Sequence, residues 1–228
     1  MSALAVNAIP VITIDGPSGA GKGTVAQRLA DRLGWALLDS GAVYRAAALH
    51  ALDSGADLDD ESAVVAAFDD FQARFEPTDT GVRVWLAGRD VTDELRTERT
   101  ADAASRVATM VGVRARLLEA QREFRKAPGL IADGRDMGSV VFPDATLKVF
   151  LTASVTTRAE RRIKQLAAAG IEHDASAVTQ EIEARDARDS GRSIAPLSQM
   201  PDALRIDSSQ LGIDEVVERI VRFIPPSG

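Results

Sequence analysis

The stretch Val11 to Thr24, VITIDGPSGAGKGT, does most to narrow what this chain can become, because a β-branched apolar run passes directly into a turn holding four glycines and a lysine. Val11, Ile12 and Ile14 suit a strand covered on both faces. Gly16, Gly19, Gly21 and Gly23, with Pro17, Ser18 and Ala20 between them, let backbone N–H groups converge on an anion where a β-carbon would obstruct. A helix predicted over Thr24 to Leu33 adds the partial positive charge of its N-terminus at the same point, and Lys22 adds a full charge. The phosphate-loop pattern, Gly, four residues, Gly-Lys, then Ser or Thr, is met at Gly16, Gly21 and Lys22. Gly23 stands where the hydroxyl is expected, and Thr24 follows one place late.

After this helix, Trp35 to Leu38 reads as a second strand ending in Asp39-Ser40-Gly41, with Tyr44 and Arg45 one turn into the next helix. Ser54 to Glu61 reads as a loop and Val64 to Phe71 as a short helix. From Phe71 to Asp93 strict alternation replaces helical spacing, with turns at Thr78 to Gly81 and Gly88 to Asp90, which predicts a small antiparallel insert. One long helix is expected over Arg96 to Lys126, stopped by Pro128 and Gly129. Leu130 to Asp133 is a third apolar strand running into Gly134-Arg135-Asp136, and Leu147 to Leu151 a fourth after a turn at Phe142 to Asp144. Helices over Thr156 to Ala169 and Ser176 to Ser190 flank a break at Gly170 to Asp174. Leu204 to Asp207 supplies a fifth strand, and Ile213 to Ile224 a last helix before the Pro225-Pro226-Ser227 tail.

Strands alternating with helices predict an α/β fold: a doubly wound, five-stranded parallel sheet with the glycine loop at its carboxyl edge. The 228 residues are expected to form one domain, with a core at 1–61, 104–154 and 194–228. Two excursions leave it, an insert at about 62–103 and a helical lid at about 155–193.

The formal charge of −7 argues against a nucleic-acid polymer as partner. Lysine occurs only at Lys22, Lys126, Lys148 and Lys164, so nearly all of the 27 basic residues are arginine, whose planar fork suits phosphate. Cysteine is absent, which excludes disulfides and thiolate chemistry, and with only His50 and His173 no histidine triad or protein metal site is assigned. MSALAVNAIP lacks a basic segment before its apolar residues, and no apolar stretch approaches the ~18 residues of a membrane span. A cytoplasmic monomer without membrane contact is the expectation.

Arg185, Arg188 and Arg192 recur at i, i+3 and i+7, on one helical face that also carries Asp189. Alone, that face would also suit solvated Asp–Arg pairs; beside a phosphate loop it becomes a lid. LLDSGAVYR, IADGRDMGSVVFPDA and ARDARDSGRSIAPL together resemble the bacterial cytidylate kinases, a family of phosphate-loop phosphotransferases, and the resemblance spans nearly the whole chain. It implies transfer of a phosphoryl group from ATP, with Mg²⁺, to CMP or dCMP. It also implies that the insert is the family's enlarged monophosphate-binding excursion. On this resemblance Gly16 to Thr24, with Arg158 and Arg162, would hold ATP. Ser40, Tyr44, Arg45, Asp133, Arg135 and Asp136 would surround the monophosphate and its ribose, and Ser105, Arg114 and Asp189 would read the cytosine. Lys22, Arg135, Arg185, Arg188 and Arg192 would carry the catalysis. The rival readings are another small-molecule kinase on the same core and a nucleotide switch. Gly23 counts against the switch, which ordinarily carries Ser or Thr after the loop lysine.

Overall fold

In the computed structural model, residues 9–78, 81–168 and 170–225 are described, and β1 (Val11–Asp15) lies at the centre of a five-stranded parallel sheet. The chain continues through α1 (Lys22–Leu33), β2 (Ala36–Asp39) and α2 (Ser40–Asp53), then α3 (Glu61–Ala66) and a 3₁₀ turn at Ala67–Asp70. A separate antiparallel sheet follows: β3 (Ala73–Thr78), β4 (Gly81–Leu86) and β5 (Arg89–Asp90). Next come α4 (Glu98–Val107), α5 (Val111–Arg122), β6 (Leu130–Gly134) and β7 (Leu147–Thr152). The helix pair α6 (Val155–Ala168) and α7 (Ala175–Gly191), then β8 (Leu204–Asp207) and α8 (Ile213–Val221), complete the described chain.

The sheet order is β2-β6-β1-β7-β8, and each pairing is parallel, as the alternation of strands and helices predicts. Side-chain alternation along β1 sends Val11 to one face and Ile12 and Ile14 to the other, so both faces need a helical cover. Residues of α2, α4 and α5, among them Val43, Ala47, Val107 and Leu117, cover the first face. Val25 and Leu29 of α1 and Val216 and Ile220 of α8 cover the second. The small sheet rests Val84 and Leu86 on Ala42, Ala46 and Leu49 of α2. Its first predicted turn includes Asp79 and Thr80, outside the described residues, as are Met1 to Ala8, Ala169 and Pro226 to Gly228.

Several boundaries differ from expectation. The single helix expected over Arg96 to Lys126 is two helices. Thr97, not Arg96, caps the first, accepting from the Thr100 N–H at 3.3 Å. At the break the Thr109 hydroxyl donates to the Arg106 carbonyl at 2.7 Å, Met110 is extended, and Arg114 donates back to the Ala108 carbonyl at 3.3 Å. No proline marks this break, because side chains satisfy the freed carbonyls. The helix expected at Val64 starts at Glu61, where Asp60 caps it through the N–H groups of Ser62 and Ala63. A π-helical turn at Met137–Val141, absent from the sequence reading, follows β6. The last helix ends at Val221, three residues before its expected end.

Candidate functional site

The loop between β1 and α1 is shaped by contacts that only glycine tolerates. A β-carbon on Gly16 would lie 1.9 Å from the Leu151 carbonyl oxygen, and Gly21 adopts φ 91° before the Val25 N–H takes up its carbonyl at 3.1 Å to start α1. Lys22 is buried. Its Nζ donates to the Pro17 carbonyl at 3.0 Å and stands 3.8 Å from Asp133 Oδ1 at the end of β6. Burial, with Arg135 nearby, lowers the Lys22 pKa, while burial raises that of Asp133 against the pull of Lys22. Gly23 lies under the same carboxylate, for a β-carbon there would be 3.4 Å from Asp133 Oδ2.

Ser18, Gly19, Gly21, Lys22, Gly23 and Thr24 form one wall of a cleft of about 1100 Å³ at the carboxyl edge of the sheet. Gly16, Pro17 and Ala20 belong to the loop without lining the cleft. The opposite wall comes from α2, α4, α5 and the turn after β6. Asp39 ends β2, caps α2 through the Ala42 N–H at 2.8 Å and holds Arg45 at 3.2 Å. The Ser40 hydroxyl donates to Gln121 Oε1 at 2.7 Å. Arg114, released inward by the α4–α5 break, pairs with Asp136 and lies over the Tyr44 ring, 5.8 Å from its centroid. Burial pushes the Tyr44 hydroxyl up to about 12, so it stays protonated. Beside this group the Ser105 hydroxyl and the Nε of Arg192 are buried without a hydrogen-bond partner, and both residues line the cleft. A buried polar atom left unpaired costs roughly 1–3 kcal/mol, so the pair marks where a ligand's polar atoms belong.

The roof is the α6–α7 pair, joined by Ala159, Leu166, Val178 and Ile182. Arg185, Arg188, Asp189 and Arg192 line the cleft together, as their spacing predicts. Asp189 is 1% exposed and accepts from Arg135 Nε at 2.7 Å and from Arg192. Burial works to raise the Asp189 carboxyl, yet Arg135 and Arg192 outweigh it and hold it below the ordinary carboxylate value. Burial and Arg135 lower the Arg185 guanidinium to about 10, still fully charged at neutral pH. Arg188 and one further arginine, Arg162, reach across the cleft mouth to carboxylates four residues apart on α4: Arg162 to Glu98, and Arg188 to Asp102 at 2.9 Å.

Arg158 departs from its expected place. It is 3% exposed, does not line the cleft, and lies beneath the loop, donating to the carbonyls of Ala153 at 3.1 Å and Ser18 at 3.0 Å. Its remaining N–H groups take the two oxygens of Asp186 on α7. The cation is consumed by protein groups because its position, one turn into α6, points it under the loop. Arg161 faces the cleft instead and ties Ala20 and Ser208 together, a role that the bare run of arginines on α6 did not distinguish. Asp39, Gln121, Glu98, Asp102 and Asp186 were also missed, and only Asp39, next to Ser40 at a strand end, carried a signal. His50 bonds Ala67 and Asp70, His173 bonds Ile171, and neither reaches the cleft.

A parallel sheet with a glycine loop after its central strand, facing a cleft roofed by arginines, defines a phosphotransferase of the phosphate-loop class. Residues 12–225 match the family model described as cytidylate kinase. The chain is 54% identical over 223 residues to a protein named cytidylate kinase from Pseudomonas aeruginosa (strain UCBPP-PA14), covering 97% of each. Proteins of the same name from Proteus mirabilis (strain HI4320) and Pseudomonas syringae pv. tomato (strain DC3000) are 51% identical over 215 residues and 53% over 217. The former alignment covers 94% of this chain and 96% of its relative, the latter 94% and 95%. The chain belongs to the cytidylate kinase family.

Proposed function

We propose that the chain transfers the terminal phosphoryl group of ATP to CMP or dCMP, with ATP on the glycine loop and the monophosphate against Arg45, Arg135 and the Arg114–Asp136 pair. The observation that carries this reading is that one cleft joins the loop to Ser105 and Arg192, whose Oγ and Nε atoms are buried without hydrogen-bond partners. Arg114 and Asp136 set a donor beside an acceptor. Cytosine offers the complement, an acceptor at N3 and an amino donor at C4, and uracil reverses both. A carboxylate has about four acceptor positions, so Asp136 can keep Arg114 and still take the amino group. Asp189, expected at the base from the resemblance, already serves two arginines, and we assign it to orienting Arg135 and Arg192.

No general base is required, because the acceptor's second phosphate pKa is near 6 and it is largely dianionic at neutral pH. The task left to the protein is charge and position. Lys22, Arg135, Arg185, Arg188 and Arg192 bring cations to the transferring group, and the α6–α7 roof excludes water that would otherwise take the phosphoryl group. Mg²⁺ suits this donor set, since it keeps several waters and needs only one or two carboxylates beside phosphate oxygens. The residue to hold it is Asp133, over Gly23, with Thr24 adjoining; bound there it would neutralise phosphate charge. Among the described residues no helix is long and apolar enough to cross a membrane, and we place the reaction in the cytoplasm, carried out by a monomer.

The test is ADP release measured with CMP, dCMP, UMP and AMP in turn. CMP should exceed UMP at least tenfold in kcat/KM, and Asp136→Asn should narrow that ratio more than Asp189→Asn. Equal release with all four monophosphates, or release independent of them, would overturn the proposal.

A further inference from the structure

Arg135 and Asp136, the two residues on which the monophosphate side of the cleft depends, lie on a short segment with no regular structure of its own. What holds it is Asp15, the last residue of β1. The carboxylate is buried, does not line the cleft, and accepts from two successive backbone N–H groups: Met137 at 2.8 Å through Oδ1 and Gly138 at 2.8 Å through Oδ2. In the β1–β6 register Asp15 stands opposite Gly134. Residues 135 and 136 are therefore fixed at both ends, by the sheet ladder at Gly134 and by the carboxylate at Met137.

The packing around the clamp leaves little freedom. A β-carbon on Gly134 would meet the Met137 side chain at 2.8 Å, and one on Gly138 would meet Thr13 Oγ1 at 2.9 Å, so the chain turns back tightly over the end of β1. Met137 is fully buried, which pins the turn from the apolar side. Beyond it the Val140 and Val141 N–H groups return to the Asp136 carbonyl at 2.9 and 3.2 Å, closing the π-helical turn. A carboxylate accepting two backbone N–H groups is a stronger anchor than a neutral side chain, because both bonds are charge-assisted.

We propose that Asp15 is a positioning residue that aims Arg135 and Asp136 at the monophosphate, while ATP is held independently by the loop that follows it. The proposal rests on the reading of the cleft given above. Asp15 itself touches no substrate; it acts through the backbone of Met137 and Gly138. An acidic residue suits this place because each N–H meets its own carboxylate oxygen, whereas a single acceptor atom would have to serve both from one position.

The experiment combines amide exchange with steady-state kinetics. In the wild-type protein the Met137 and Gly138 amides should exchange as slowly as those of β6, although they lie outside it; exchange at the rate of an open loop would overturn the clamp without any variant. Asp15→Asn keeps the size but offers one acceptor and turns its amide nitrogen toward a backbone N–H. It should speed exchange at Met137 or Gly138 at least tenfold and raise the KM for CMP at least tenfold, with the KM for ATP within twofold of wild type. Asp15→Ser, smaller and free of that opposed N–H pair, should give the same pattern if the asparagine variant does not fold. An unchanged KM for CMP, or equal rises for CMP and ATP, would overturn the positioning role. Should wild type not phosphorylate CMP, the proposed function fails while the exchange measurement still decides the clamp.

Discussion

The two walls of the cleft bind charge by different means. The loop wall is backbone and one lysine: residues adjacent in sequence, shaped by glycines at Gly16 and Gly21, with Lys22 held by the Pro17 carbonyl. The roof is side chain: Arg162 of α6 and Arg188 of α7 meet Glu98 and Asp102 of α4, and Asp189 of α7 takes Arg135 from the turn after β6. A backbone cradle is preorganised by its own dihedral angles, so little rearranges when phosphate enters. On the proposed function, an arginine roof would exchange partners, giving up a carboxylate to take a phosphate oxygen, which would favour one arrangement with nucleotide and another without it.

Removing Lys22 should break the comparison most sharply. Lys22→Ala is expected to lower kcat by about 10²–10³-fold, roughly 3–4 kcal/mol of transition-state stabilisation, with the fold retained. Less than a tenfold loss, with an unchanged circular dichroism spectrum, would remove the loop from the chemistry.

The next effect separates the two uses of arginine. Arg158 is buried and saturated by protein groups, so Arg158→Ala should cost about 2–3 kcal/mol of stability. Arg188, in an exposed pair with Asp102, should change stability by no more than about 0.5 kcal/mol when replaced by alanine, yet lower kcat at least tenfold. Urea midpoints and turnover of the two variants decide it. A stable Arg158→Ala protein with only a raised KM for ATP would return Arg158 to the nucleotide.

Acidification should drive stability and activity apart. Burial raises Asp15 from 3.8 to about 6, and Asp133 likewise to about 6. Between pH 4 and 6 the folded state then binds protons that the unfolded chain does not, so these two groups add stability as pH falls and withdraw it as pH rises through 6. Carboxylates held low, such as Asp144 and Asp189, act oppositely, but below that window. Urea midpoints should thus gain from both groups on going from pH 7 to 5, and Asp15→Asn should show a smaller gain. CMP phosphorylation should fall over the same range as Asp15 and Asp133 lose charge.

The smallest effect concerns the cleft mouth. Asp102→Asn frees Arg188 from an exposed pair worth no more than about 1 kcal/mol, so an ATP analogue should bind about two- to fivefold more tightly by calorimetry, and less so at high salt. Unchanged affinity would mean that the pair does not compete with nucleotide.

The α/β class, the first strand, the phosphate loop and the arginine face of α7 were determined by sequence alone, because each is a local pattern. Apolar periodicity, glycine where φ is positive and i, i+3, i+7 spacing need no knowledge of the rest of the chain. Tertiary structure decided which charge meets which. Arg158 and Arg161 stand three residues apart on one helix, yet one is saturated under the loop and the other faces the cleft. The break between α4 and α5 has no proline to announce it, and past it Arg114 reaches both the Ala108 carbonyl and Asp136. Asp15 meets its two N–H donors more than a hundred residues later, across the β1–β6 register. Hydrogen bonds and charge burial depend on distances between elements far apart in the chain, and no local periodicity encodes those distances.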